Sequence, residues 1–114
     1  MAKPDLICKR AGDVLLLRFE KEELKLEDAE RLVEIVFDLE ENWDIEKIVF
    51  EMEKVSYVNS SVISAISRIA DAKDLKVVRM TDKVMNIMET MGLLGFLDIY
   101  DSIEDALKDF NREG

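Results

Sequence analysis

Three small polar residues, Asn59, Ser60 and Ser61, form a segment of this chain that could be covalently modified. They follow an apolar run typical of a strand and precede an apolar run with helical spacing. Asn is a preferred N-cap residue, so the simplest interpretation is the start of a helix. A serine in the same turn could also carry a phosphate, because free N–H groups and the helix dipole favour an anion there. Both interpretations stay open on these residues alone.

Composition excludes most other site chemistry. The chain has no histidine, which excludes imidazole metal sites and histidine-dependent triads. Its single cysteine, Cys8, has no partner for a disulfide or a zinc site, and its apolar neighbours predict a small buried side chain. The four glycines never approach a phosphate-binding loop pattern. These absences exclude much of the known chemistry of catalytic, metal and nucleotide sites.

The net charge of −10 is unevenly distributed. Residues 20–54 carry fourteen acidic and five basic side chains, which accounts for −9 of the total. Such a surface repels a phosphate backbone, so nucleic acid is not an expected partner. A solvated acidic helix face is the simplest interpretation of this segment.

The apolar runs are short throughout. None approaches the ~18 residues that a membrane span requires, and the first residues lack the apolar stretch of a signal peptide. We therefore expect a cytoplasmic protein with no membrane partner. Glutamine is absent while Glu and Lys together number twenty-four, a bias typical of proteins from thermophiles.

Apolar spacing predicts strands that alternate with helices. A hairpin around Ala11-Gly12-Asp13 opens the chain, because Gly and Asp supply turn geometry between two apolar runs. Gly92 is placed to end the third helix in a left-handed conformation, and Ser102 to cap the fourth. The elements predicted after the hairpin are a helix over 28–41, a strand over 47–52, a helix beginning at Ser60, a strand over 75–80, a helix capped by Thr81 or Asp82, a short strand within "FLDIY" and a helix within "DSIEDALKDF".

Strands that alternate with helices favour crossover connections and parallel pairing. We therefore predict a single α/β domain over residues 1–114, with a mixed, mostly parallel sheet opened by an N-terminal hairpin and about four helices packed mainly on one face. The strands alternate between apolar and polar residues, so one face should be covered better than the other. On the thinner face, Arg18, Glu51 and Arg79 could meet if their strands are neighbours.

Two helices have apolar patterns that bear on function. In the helix that begins at Ser60, Val62, Ile66 and Ile69 share one stripe and predict the core-facing side. In the next helix and the strand before it, methionines at 80, 85, 88 and 91 are expected mainly to fill the core. A face partly open to a protein partner is the alternative for these methionines.

Most of the chain resembles the STAS domain, named for sulfate transporters and anti-sigma factor antagonists. The resemblance covers roughly residues 10–111 and is closest to free-standing bacterial anti-sigma factor antagonists. It is carried, in the family's order, by "KIVFEM", "NSSV", "ISAISRIADA", "LKVVRM", "DKVMNIMETMGL" and "SIEDALKDF".

The resemblance implies a function and a site. In that family an Asp-Ser-Ser-Gly loop is phosphorylated, on the serine before the glycine, by a kinase that is also the anti-sigma factor. By position this implies phosphorylation of Ser61, with Ser60 as second choice, and partner binding by Asn59, Ser60, Ser61 and Val62. The unphosphorylated antagonist binds the anti-sigma factor kinase and frees the sigma factor, and a phosphatase resets it. The resemblance thus implies a phosphoprotein that regulates transcription by partner switching, is not an enzyme and takes no small-molecule substrate.

Two positions depart from the family pattern. Asn59 stands where Asp is usual, which keeps the capping oxygen but loses a charge. Val62 stands where Gly is usual, and we expect it to fill space at an exposed helix start. An alternative function is therefore a STAS scaffold or interaction subunit of a signalling complex that is never phosphorylated. A small-ligand sensor would need a concave pocket with convergent polar groups, and no segment indicates one.

Overall fold

The computed structural model describes residues 5–113, which form seven strands and four α-helices. Three single turns of other helical types lie at 34–38, 40–42 and 94–96. The strands are β1 (Leu6–Ala11), β2 (Val14–Phe19), β3 (Glu23–Leu24), β4 (Lys47–Glu51), β5 (Tyr57–Val58), β6 (Asp74–Val78) and β7 (Asp98–Tyr100). The helices are α1 (Leu26–Val33), α2 (Ser60–Ala72), α3 (Asp82–Thr90) and α4 (Ile103–Glu113).

Five of the strands form one mixed sheet in the order β1-β2-β4-β6-β7. β1 and β2 are antiparallel and joined by a tight turn, where Gly12 has a φ of 61° that suits glycine. The pairs β2–β4, β4–β6 and β6–β7 are all parallel. The hairpin and the parallel crossovers predicted from the sequence are both confirmed.

The two faces of this sheet are covered unequally. Alternate strand residues such as Leu17, Phe50 and Val77 face α1, α2 and α3 and belong to the large core. The intervening residues form a smaller apolar cluster with α4, which includes Phe110. The prediction of four helices packed mainly on one face is therefore confirmed, with α4 on the opposite face.

The first helix differs from its predicted span of 28–41. α1 begins two residues earlier, where the Asp28 carboxylate accepts a hydrogen bond of 2.7 Å from the backbone N–H of Lys25. The helical path widens into a π-type turn over 34–38 and then stops, because Leu39 is extended. The buried Asn42 side chain donates to the carbonyl of Ile35 at 2.9 Å and so satisfies the helix end.

Cys8 is exposed, and the prediction that it would be a small buried side chain is wrong. It lies on β1, one of the two edge strands of the sheet, where only one neighbouring strand is present. The last four residues of β1 are all exposed, because the covering helices lie over the strands further in. Apolar neighbours in sequence therefore did not bring burial at this edge.

The methionines divide as expected for a helix with one core face. Met80 and Met88 are buried, Met85 packs partly against the core, and Met91 at the helix end is 53% exposed. Most of these side chains therefore fill the core rather than form an open methionine surface.

Of the three residues expected to meet on the thinner sheet face, Arg79 and Glu51 lie together and Arg18 does not join them. Arg79 Nη1 lies 3.8 Å from the Glu51 carboxylate and 2.7 Å from that of Glu53. Arg18 pairs with Glu51 in strand register, but its guanidinium Nε donates to Glu20 at 2.8 Å instead. β6 ends one residue before Arg79 because that residue takes a left-handed φ of 56°.

Candidate functional site

The Asn59-Ser60-Ser61 segment is held in place from the strand side. β5, just before it, pairs in parallel with β3 in a separate two-stranded sheet. The Asn59 N–H donates to the carbonyl of Leu24 at 3.2 Å, and the N–H groups of Ser56 and Tyr57 both donate to the carbonyl of Glu22. These bonds fix the backbone at the point where it enters α2.

A second anchor holds the loop between β4 and β5. The Thr81 hydroxyl donates to the carbonyl of Val55 at 2.7 Å and accepts from the N–H of Val84, so it also caps α3. The starts of α2 and α3 therefore lie at the same edge of the sheet, beyond the carboxyl ends of the parallel strands. That edge is the usual place for function in sheets of this kind.

Asn59 caps α2, as predicted. Its backbone is extended, with φ −88° and ψ 175°, and its side-chain oxygen accepts from the N–H of Val62 at 3.1 Å. Its carbonyl accepts the first intrahelical bond, from Ile63 at 3.0 Å. The N–H groups of Ser60 and Ser61, in the first turn, have no acceptor within the helix.

The two serines differ in exposure. Ser60 is exposed at the tip of the helix, whereas Ser61 is partly buried and turned towards α1. Ser61 lies at one end of a groove of about 580 Å³ between α1 and α2. Its floor includes Ala29 and Ala65, and Leu26 on its rim is 54% exposed. Ser61 therefore lies beside apolar surface that a protein partner could cover.

Val62 lies in the core, with 0% of its surface exposed. The expectation that it fills space at an exposed helix start is wrong, and its side chain offers no surface to a partner. The stripe that it shares with Ile66 and Ile69 faces the core, and all three are buried. The helical spacing predicted this orientation. The comparison of Val62 with the glycine usual at this position in the family did not.

Lys54, the single cationic residue of the β4–β5 loop, is already engaged. Lys54 donates to the Glu20 carboxylate, which also accepts from Arg18. The hydrogen bond from Lys54 is the main cause that lowers the pKa of Glu20 below its ordinary value. A phosphate on Ser61 would therefore depend first on the N–H groups and dipole of α2 rather than on Lys54.

The described part of the chain offers no metal site and no membrane-spanning helix. Among residues 5–113, no three side chains of the His, Cys, Asp and Glu types are grouped to hold an ion. The helices in the same range are too short or too polar to cross a bilayer. At this edge the described residues form the apolar groove between α1 and α2, with the Ser61 hydroxyl beside it.

Comparison with known proteins agrees with this architecture. A proposed anti-sigma factor antagonist from Thermotoga maritima is 26% identical, with a TM-score of 0.81 over 91% of this chain and 92% of that chain. SpoIIAA in its unphosphorylated form is 13% identical, with a TM-score of 0.77 over 94% and 96% of the two chains. The phosphorylated form of SpoIIAA, a Bacillus cell fate determinant, is 12% identical, with a TM-score of 0.70 over 92% and 98%.

The two similarities to SpoIIAA show a shared fold only. A search of curated proteins found no match. The family model for the STAS domain matches residues 6–106, nearly the whole of the described chain. The resemblance predicted from the sequence is therefore confirmed, and the chain belongs to the STAS domain family.

Proposed function

We propose that this domain is an anti-sigma factor antagonist, and that phosphorylation of Ser61 switches it off. The unphosphorylated protein binds an anti-sigma factor that is also a serine kinase, and so frees a sigma factor in the cytoplasm. A phosphatase that removes the phosphate resets the cycle. The domain contributes a docking surface and an acceptor hydroxyl, and this role requires no catalysis, metal or cofactor of its own.

One observation carries the proposal: Ser61 stands in the first turn of a capped helix, with its hydroxyl beside an open groove. The cap and the strand pairing hold this turn without using the N–H groups of Ser60 and Ser61. The likeness to the Thermotoga maritima protein, itself a proposed antagonist, supports the same role. Both solved states of SpoIIAA share this fold, which supports a phosphorylated form that stays folded.

The proposed reaction is a single phosphoryl transfer from ATP to Ser61. The Ser61 oxygen attacks the γ-phosphorus of ATP, a new O–P bond forms, the bond to ADP breaks, and the hydroxyl proton goes to a base of the kinase. The product adds about −1.5 to −2 charges at this turn. A kinase that reaches Ser61 must hold its nucleotide phosphates close by, so the new phosphate and the nucleotide repel each other. That repulsion weakens the complex without unfolding either protein.

The proposal is tested by mixing the protein with the candidate anti-sigma factor kinase of the same genome and ATP. Intact-mass spectrometry then counts the phosphates, and fragmentation locates them. We expect one phosphate, on Ser61, that is lost in Ser61→Ala. Ser64→Ala is the matched control, because Ser64 lies one turn further along the same groove.

Each outcome has a defined meaning. Phosphate on Ser60 alone would move the switch by one residue and contradict the assignment to Ser61. A stable complex with no phosphate, unaffected by Ser61→Ala, would indicate the scaffold function instead. Failure of the two proteins to bind at all would overturn the antagonist role for that partner.

A further inference from the structure

A second surface lies at the other end of α2. There a groove of about 470 Å³ separates the last turns of α2 from the segment that joins α3 to β7. Its apolar walls include Ile66 and Ala70 from α2 and Leu93 and Leu97 from the joining segment. Phe96 stands on its rim with 78% of its surface exposed, more than any other large apolar side chain among residues 5–112. A projecting aromatic ring and an apolar groove thus lie side by side on one surface.

Two opposite charges flank this groove. Arg68 and Asp71 both line it, one turn apart on α2, and neither forms an ion pair within residues 5–113. The Arg68 guanidinium instead lies over the Phe37 ring, with 4.6 Å between the guanidinium carbon and the ring centroid. A guanidinium has five N–H donors, so one that lies over a ring can still donate to a carboxylate.

The surroundings of this groove are close to neutral. Arg68 and Asp71 are one basic and one acidic side chain, and the other residues that line the groove are uncharged. Residues 20–54 in contrast carry −9. A strongly basic partner would therefore find little attraction here, whereas a second copy of the chain would meet little repulsion from nearby charges.

We propose that two copies of this chain associate through the groove beside Phe96, related by a two-fold axis. In an interface of that symmetry each feature meets its complement twice. Phe96 of each copy enters the groove of the other, and Arg68 of each copy pairs with Asp71 of the other. One surface thus carries both Phe96 and the groove that receives it, and both Arg68 and Asp71. An isologous dimer requires such self-complementarity.

Dimerisation in this way leaves the Ser61 turn open. Ser61 and Asp71 are ten positions apart on α2, which is about 15 Å along the axis at 1.5 Å per residue. The dimer therefore presents two modifiable turns in one assembly. It can bind two partners or engage a two-site partner with increased avidity.

The proposal is tested by sedimentation equilibrium over a wide concentration range. We expect the average mass to rise from 13.2 kDa towards twice that value as concentration increases. Phe96→Ser should weaken association by about tenfold or more, as loss of a central aromatic anchor does. Trp43→Ser is the matched control, because Trp43 is 61% exposed but does not line this groove, and it should leave association unchanged.

Charge reversal tests the symmetry directly. Arg68→Asp and Asp71→Arg should each weaken the dimer, because each places like charges opposite one another across the two-fold axis. The double variant should restore association, and circular dichroism confirms that each variant is folded. A constant monomer mass in the unmodified protein, a dimer unaffected by Phe96→Ser, or no rescue by the double variant would overturn the proposal. The unmodified protein could instead be a monomer whose binding to the anti-sigma factor is lost in Phe96→Ser. That result would assign this surface to the anti-sigma factor and would also overturn the proposed dimer.

Discussion

The cap on α2 offers a direct measurement of how the candidate site is held. Asn59→Ala removes the oxygen that accepts from the Val62 N–H at 3.1 Å and leaves the rest of the turn unchanged. Loss of such a cap costs about 1 kcal/mol, within a range of about 0.5 to 2. The bond is partly buried, so water replaces it only in part, and we expect a value near the middle of that range.

The cost converts to a shift in melting temperature. Unfolding entropy is about 2.1 cal/mol/K per residue, so for a chain of 114 residues each kcal/mol lowers Tm by about 4 °C. Asn59→Ala should therefore lower Tm by about 2 to 8 °C in differential scanning calorimetry. The urea m-value should not change, because the surface exposed on unfolding is the same.

Asn59→Asp is the control that separates the cap from the rest of the side chain. It keeps the accepting oxygen and adds a negative charge at the positive end of the helix, a gain of about 0.3 to 1 kcal/mol. The folded state lowers the pKa of the new carboxylate below its unfolded value of about 3.9. The gain is therefore present above about pH 4 and is lost as pH falls through the folded pKa.

Two results would contradict this role of the Asn59 cap. One is an Asn59→Ala variant that melts at the same temperature as the unmodified protein. The other is an Asn59→Asp variant that is less stable than Asn59→Ala at pH 7. Either result would mean that the bond to Val62 does not stabilise the start of α2.

Three further predictions concern the buried and exposed sides of the domain. Val62→Gly, which installs the usual family residue, should cost about 3 kcal/mol in urea unfolding, because it empties a fully buried position and adds a helical glycine. Ser61→Glu should weaken binding to the anti-sigma factor kinase in calorimetry while Ser64→Glu, with the same charge one turn away, should weaken it less. Lys76→Met should stay within about 1 kcal/mol of the unmodified stability, whereas Lys76→Ala should lose about 2 to 4 kcal/mol, because only the latter leaves a cavity beneath α4.

Much of the fold could be predicted because its sequence patterns are local. The stripe of Val62, Ile66 and Ile69 has helical spacing, and all three residues lie in the core. Gly92 ends α3 in a left-handed conformation, and the Ser102 hydroxyl accepts from the N–H of Asp105 at the start of α4. These features depend on neighbours within one turn, which the sequence displays directly.

The parts that were missed depend on how distant layers meet. Lys76 is fully buried under α4, with its ammonium 4.6 Å from the centroid of the Phe110 ring and 3.7 Å from the Asp98 carboxylate. No local pattern indicates that a lysine in a strand will be covered by a helix that begins 27 residues later. Cys8 shows the reverse effect, because the apolar Leu6 and Ile7 before it do not indicate that β1 is an edge strand.

For the same reason, we expect the proposed phosphorylation of Ser61 to leave the fold unchanged. Ser61 is partly exposed beside the groove between α1 and α2, while Val62 next to it lies wholly in the core. A phosphate on Ser61 would meet free N–H groups and the favourable end of the helix dipole, so it should stabilise α2 rather than melt it. The backbone on the strand side stays fixed by the bond from Asn59 to Leu24. Phosphorylation would therefore change the charge at the docking surface and leave the domain intact, so a partner would read the modification by electrostatic repulsion alone.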